Sequence, residues 1–163
     1  MKKLVSFSAA VLAMVSLGTV AAEAKEEKLT CTLYMGSSMD SAAQSLVTVK
    51  DSAVTLMAVR RTGVCVFADG SVADKQFVMS LRADGDGSKG SGIGYSVYTM
   101  QKGGSITASW SYNWGATGAK GTYQILGGTG NYKGATGNGT IDAKGAKVGL
   151  SEIANIVLNV KTP

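Results

Sequence analysis

Glu152 is the residue whose position most directly raises a chemical question. In the run Leu150–Val160 the even positions are mainly apolar (Leu150, Ala154, Ile156, Leu158, Val160), and Glu152 shares their parity. In one uninterrupted strand, alternate side chains share a face, so this carboxylate points where the apolar set points. A carboxylate among apolar groups must be paired, neutralised or put to chemical use. Its candidate cations are Arg60, Arg61 and Arg82, the chain's three arginines. Three readings stand: a general acid or ligand anchor, a structural ion pair, and a solvated group at the end of its strand. The aromatics Trp110, Tyr112 and Trp114 pose a similar question. They occupy even positions of Ile106–Trp114 with Ile106 and Ala108, so they form either one wall of an apolar ligand pocket or ordinary core filling. The ligand-pocket candidates are therefore Trp110, Tyr112, Trp114, Glu152 and Arg60, with Glu152 the one catalytic candidate.

Other chemistries are excluded or weakened by composition. The chain has no histidine among its 163 residues, which removes Ser-His and Cys-His catalysis and the commonest zinc and haem ligands. The run Asp84-Gly85-Asp86-Gly87-Ser88 invites a calcium reading. It departs from the EF-hand template, because Lys89 stands where the invariant glycine belongs and Tyr95 where the bidentate glutamate belongs. It reads as a hairpin loop. No metal and no cofactor is expected. What remains for proton transfer is Glu152, a few aspartates and the tyrosines.

The N-terminus has the tripartite layout of a secretory signal: Lys2-Lys3, an apolar run from Leu4 to Leu17, then small residues. Residues 1–24 are read as this signal, with cleavage after Ala22 or Ala24. The formal charge of +5 then falls to +3 or +4, too dilute for a nucleic-acid surface. After cleavage no apolar run approaches the length of a membrane-spanning helix. The expected location is periplasmic or secreted. In an oxidising compartment two cysteines allow one bridge, Cys31–Cys65.

The elements that must position these groups are strands. Alternation with a period of two recurs in Leu29–Met35, Leu46–Lys50, Val54–Arg61, Gln76–Arg82, Ile93–Met100, Ile106–Trp114, Gly121–Leu126, Thr140–Lys144 and Leu150–Val160. Val, Ile, Thr, Tyr and Trp dominate these runs, as half-buried strands prefer. Turn clusters separate them at Ala83–Gly92, Gln101–Gly104 and Gly115–Lys120. Ser38–Ser45 has room for a helical turn or two but no apolar stripe. The pattern is that of an all-β, antiparallel barrel or sandwich in a single domain over residues 25–163. Eighteen of the 22 glycines fall between Gly85 and Gly149, so the second half is built of tight hairpins.

The most distinctive string, Ile125-Leu-Gly-Gly-Thr-Gly-Asn-Tyr-Lys-Gly-Ala-Thr-Gly-Asn-Gly-Thr140, resembles the signature hairpin of the allene oxide cyclase and dirigent superfamily, closest to its small secreted bacterial members. Gly94-Tyr95-Ser96-Val97-Tyr98, followed by a loop and a Trp-bearing strand, is similar to the same chains. The resemblance covers about residues 93–142. It implies an eight-stranded antiparallel, calycin-like barrel, a trimer in many plant members, and an aromatic covering one barrel end. The acidic and basic catalytic positions of the plant enzymes have no match here, so none is carried over. The expected role is binding or structural ahead of enzymatic, with a small hydrophobic ligand held in the barrel. The alternatives are an isomerase-, cyclase- or dirigent-like protein acting on a confined apolar substrate, and a cell-envelope interaction protein.

Overall fold

Each alternating run has an apolar side to bury and two open backbone edges to satisfy, and one arrangement meets both needs. The computed structural model describes residues 24–36, 45–48, 54–144, 147–148 and 151–163. Its strands are β1 (Lys25–Gly36), β2 (Ser45–Thr48), β3 (Val54–Phe67), β4 (Val72–Asp84), β5 (Lys89–Met100), β6 (Ser105–Gly115), β7 (Gly118–Thr129), β8 (Thr136–Ala143), β9 (Lys147–Val148) and β10 (Ser151–Thr162). Antiparallel pairing runs β3–β4–β5–β6–β7–β8–β10–β1, and β1 then pairs back onto β3. The result is a closed eight-stranded antiparallel barrel. Closure leaves no exposed edge in the ring. The short β2 and β9 add to β3 and β10. Residues 1–23, which carry the expected export signal, and most of the Ser38–Ser45 segment lie outside the described residues.

Closure rests on a short ladder, Cys31–Met35 against Gly63–Phe67. Here the expected disulfide forms. Cys31 and Cys65 both point inward and are buried, with their Cα atoms 5.5 Å apart. The bridge ties the first strand of the ring to the strand that closes it.

The inward parity is odd on β1, β3, β4, β8 and the first part of β7, and even on β5, β6 and β10. Several strands are longer than the alternating runs suggest. β3 continues past Arg61 to Phe67, and β4 starts at Val72, ahead of Gln76. The expected turn Ala83–Gly92 shrinks to residues 85–88, because Lys89–Gly92 belongs to β5. The reason is cross-strand packing. Gly90, Gly92 and Gly94 face Trp114, Tyr112 and Trp110 of β6, and the rings lie over the bare backbone. A Cβ at Gly92 would stand 2.5 Å from Tyr112 Cε1. The glycines are strand residues that make room for aromatics.

One end of the barrel is filled by Leu33, Cys65, Tyr98, Ile106, Ile156 and Leu158, all buried. The glycine-rich hairpin closes this end. A bulge leaves Leu126 without a partner between the pairs Ala108–Ile125 and Thr107–Gly127. Gly128 then opposes Ile106, and a Cβ there would meet the Tyr132 backbone oxygen at 2.6 Å. Gly130, with φ +56°, starts the 3-10 turn Gly130–Tyr132. Tyr132 packs against the core, as the resemblance implied.

Candidate functional site

The described residues do not fill the opposite end. A cavity of about 120 Å³ opens there, and its inner end is Lys75. β4 places this lysine. Ala73, Lys75, Phe77 and Met79 share its inward parity and are all buried, and Lys75 is only 2% exposed. Its Nζ donates to Tyr123 Oη at 2.8 Å. Four rings surround the amine, with centroids at 4.8 Å (Phe77), 5.2 Å (Tyr98), 5.2 Å (Tyr123) and 5.9 Å (Trp110). Among the described residues no carboxylate pairs with it. The ring faces attract a cation but do not replace the water removed by burial. Burial therefore pulls the amine from 10.5 down to about 7.

The aromatic walls hold one another. Trp110 Nε1 donates to Ser96 Oγ at 2.7 Å in the interior, and its ring lies against Phe77, Tyr112 and Tyr123. The hydroxyls beside Lys75 are neutral phenols, since burial raises Tyr98 and Tyr123 well above the ordinary value; on the cavity wall, burial pushes Tyr112 up to about 12. Met35, Ile141 and Ala143 supply apolar sides. At the rim Arg61 Nη1 meets Glu152 Oε2 at 3.0 Å; the guanidinium side is 11% exposed and the carboxylate side 43%.

Of the residues singled out from sequence, Trp110, Tyr112 and Glu152 line this cavity. Trp110 is both core and wall. Glu152 points inward, as its parity required, at the barrel mouth and in an ion pair. Trp114 packs at the rim, its ring 5.6 Å from Tyr112 and its Nε1 donating to Gly87 O at 3.2 Å. It is not part of the lining. Arg60 is a correction: it is exposed on the outer face, in a shallow groove with Val78, Ile93 and Tyr95, because the inward parity of β3 is odd. The cation that reaches Glu152 is Arg61.

Lys75, Tyr98 and Tyr123 were not among the expected site residues. The signal for Lys75 was its parity with Ala73, Phe77 and Met79, obscured by starting the run at Gln76, four residues after β4 begins at Val72. Lys75 also changes the inventory of titrating groups: a chain without histidine gains from it a side chain that changes charge near neutrality.

A search of solved structures finds this architecture elsewhere. A pterocarpan synthase dirigent protein matches with a TM-score of 0.57 at 12% sequence identity, over 86% of this chain and 92% of that one. The fold is dirigent-like. No protein-family profile matches the sequence, and no curated protein matches it. The likeness is one of backbone architecture, and what the cavity does has to be argued from its own side chains.

Proposed function

We propose that this chain is an exported barrel that binds a small, ring-sized apolar molecule with one polar oxygen directed at Lys75. The observation that carries the reading is the fully buried amine, boxed by four rings and without a carboxylate partner among the described residues, at the end of an apolar cavity. Such an amine is costly to stability, and a ligand oxygen would add a second acceptor to the one that Tyr123 Oη supplies. The volume suits one ring: an apolar cavity of about 150 Å³ is known to hold benzene. Export follows from the Lys2–Leu17 pattern and agrees with the Cys31–Cys65 bridge. Residues 25–163 form the mature domain in this reading, in the periplasm or outside the cell. No helix among the described residues is long and apolar enough to cross a membrane.

Toluene, benzyl alcohol and benzoate, added separately to purified mature protein, test it. Trp110 fluorescence should change and the melting temperature should rise, most for the two oxygen-bearing rings. A ligand at 100 times its Kd adds about 2.7 kcal/mol. Unchanged melting with all three compounds would remove the reading. N-terminal sequencing of protein recovered from the periplasm should begin after Ala22 or Ala24.

The Lys75–Tyr123 pair favours a second reading, a confined isomerisation or cyclisation of the kind the dirigent-like barrel suggests. An amine titrating near 7 beside a neutral phenol is a base and an acid in one dry pocket. For any ligand that is also turned over, Lys75→Met would abolish turnover while toluene still binds.

A further inference from the structure

We propose that Lys75 captures a carbonyl-bearing ring compound, an aromatic aldehyde in the simplest case, as an imine inside the barrel. The inference rests on the proposed ligand cavity and names the chemistry of its inner end. Lys75 lines the cavity, so a ring seated against the Trp110 and Tyr112 wall carries a one-carbon substituent towards its amine. Tyr98 on β5 and Tyr123 on β7 face the amine, and Tyr112 on β6, Arg61 on β3 and Glu152 on β10 line the same cavity. The three phenols are neutral, and the carboxylate is held at the rim by Arg61. None of the described groups gives Nζ an ion pair that would hold its proton, and a large share of the amine is free at neutral pH.

The step balances without a further reactant. The Nζ lone pair attacks the carbonyl carbon, and the C–O π pair becomes an alkoxide. Nitrogen sheds one proton, which the Tyr123 hydroxyl, 2.8 Å from Nζ, relays to that oxygen to give a carbinolamine. The second amine proton leaves as the carbon–oxygen bond breaks, so amine and aldehyde become imine and one water. Walls of Phe77, Trp110 and Tyr123 keep bulk water from reversing the step quickly.

The test treats the mature protein with benzaldehyde and cyanoborohydride at pH 7, followed by intact mass and peptide mapping. One benzyl group per chain is expected, on Lys75, formed at least about tenfold faster than on any exposed lysine. An exposed amine near pKa 10.4 is almost wholly protonated at that pH. The rate should level off just above pH 7, whereas labelling of surface amines keeps climbing. Lys75→Met should lose the fast adduct. If that variant does not fold, Tyr123→Phe, which keeps the ring and removes the relay, should slow labelling of Lys75 several-fold. Adducts spread over surface lysines with Lys75 unmodified would overturn the proposal. Toluene binding separates the two failures: if toluene binds and Lys75 stays unlabelled, the imine falls and the binding cavity stands. If neither occurs, both fall.

Discussion

Arg61 Nη1 lies 3.0 Å from Glu152 Oε2, an ion pair between β3 and β10 at the mouth of the cavity. It orders the rim and sets its charge. Glu152 is 43% exposed, so solvent screens much of the attraction. Glu152→Gln should lower stability by only about 0.5–1 kcal/mol, read as a melting shift of a few degrees. The same change leaves the mouth net positive, so benzoate should bind more tightly relative to benzyl alcohol. Equal affinity ratios in both proteins would show that the pair has no part in ligand choice.

Lys75 predicts a pH dependence with a definite sign. Its amine titrates near 7 in the barrel and near 10.5 in the unfolded chain. Between those values the unfolded chain holds a proton that the native state has released. Stability therefore rises with pH across that window, by up to about 1.4 kcal/mol per unit, and is unaffected by this group below it. Lys75→Met lacks this rise. The stability of Lys75→Met minus that of the native sequence should therefore fall between pH 7 and pH 9 in urea titrations. Parallel curves would mean that the amine is not charge-depleted in the fold.

The strands were legible in the sequence, since all eight members of the ring fall on runs of apolar–polar alternation; alternation alone left barrel and sandwich open, and the eight-stranded barrel was what the resemblance of the glycine-rich hairpin implied. Cys31 and Cys65 were legible for a simpler reason, since two cysteines allow one bridge. The site was legible only where parity was anchored on both sides, as for Trp110, Tyr112 and Glu152. Arg60 and Arg61 were adjacent at the end of a run, where a one-residue choice decides which faces inward. Gly90 and Gly92 read as a turn because what makes them strand residues is the Tyr112–Trp114 face of the next strand. Lys75 was hidden because its burial depends on rings from three other strands, and pairing is not written in local periodicity.

The disulfide braces the seam where the ring closes. Its loop of 34 residues predicts a loss of roughly 3–4 kcal/mol when the bridge is removed. Cys31→Ser with Cys65→Ser should melt well below the oxidised native protein, and reduction of the native protein should give a similar drop. If thiol counting finds two free cysteines in protein from an oxidising compartment, the seam is held by backbone pairing alone.

Gly92 tests the packing of glycine against ring. A Cβ there meets Tyr112 Cε1 at 2.5 Å and Leu81 Cδ2 at 2.8 Å, so Gly92→Ala must displace the ring or the leucine. The cost should be about 1–3 kcal/mol, typical of overpacking. A changed near-ultraviolet circular dichroism signal should accompany it, because Tyr112 is stacked between Trp110 and Trp114. Unaltered aromatic spectra and stability would show that the rings are not seated on the glycines.

Ala119 separates ligand binding from mere core structure. It lines the cavity from β7, opposite Trp114 and Ala143 in the two ladders, and is half-buried. Leucine there would occupy the space a ring needs. Filling a cavity commonly adds about 0.5–2 kcal/mol, so Ala119→Leu should fold with equal or greater stability while the melting shift with toluene disappears. If the variant is stabilised and still responds to toluene, the ring binds somewhere else on the protein, and the cavity below Arg61 and Glu152 is packing imperfection.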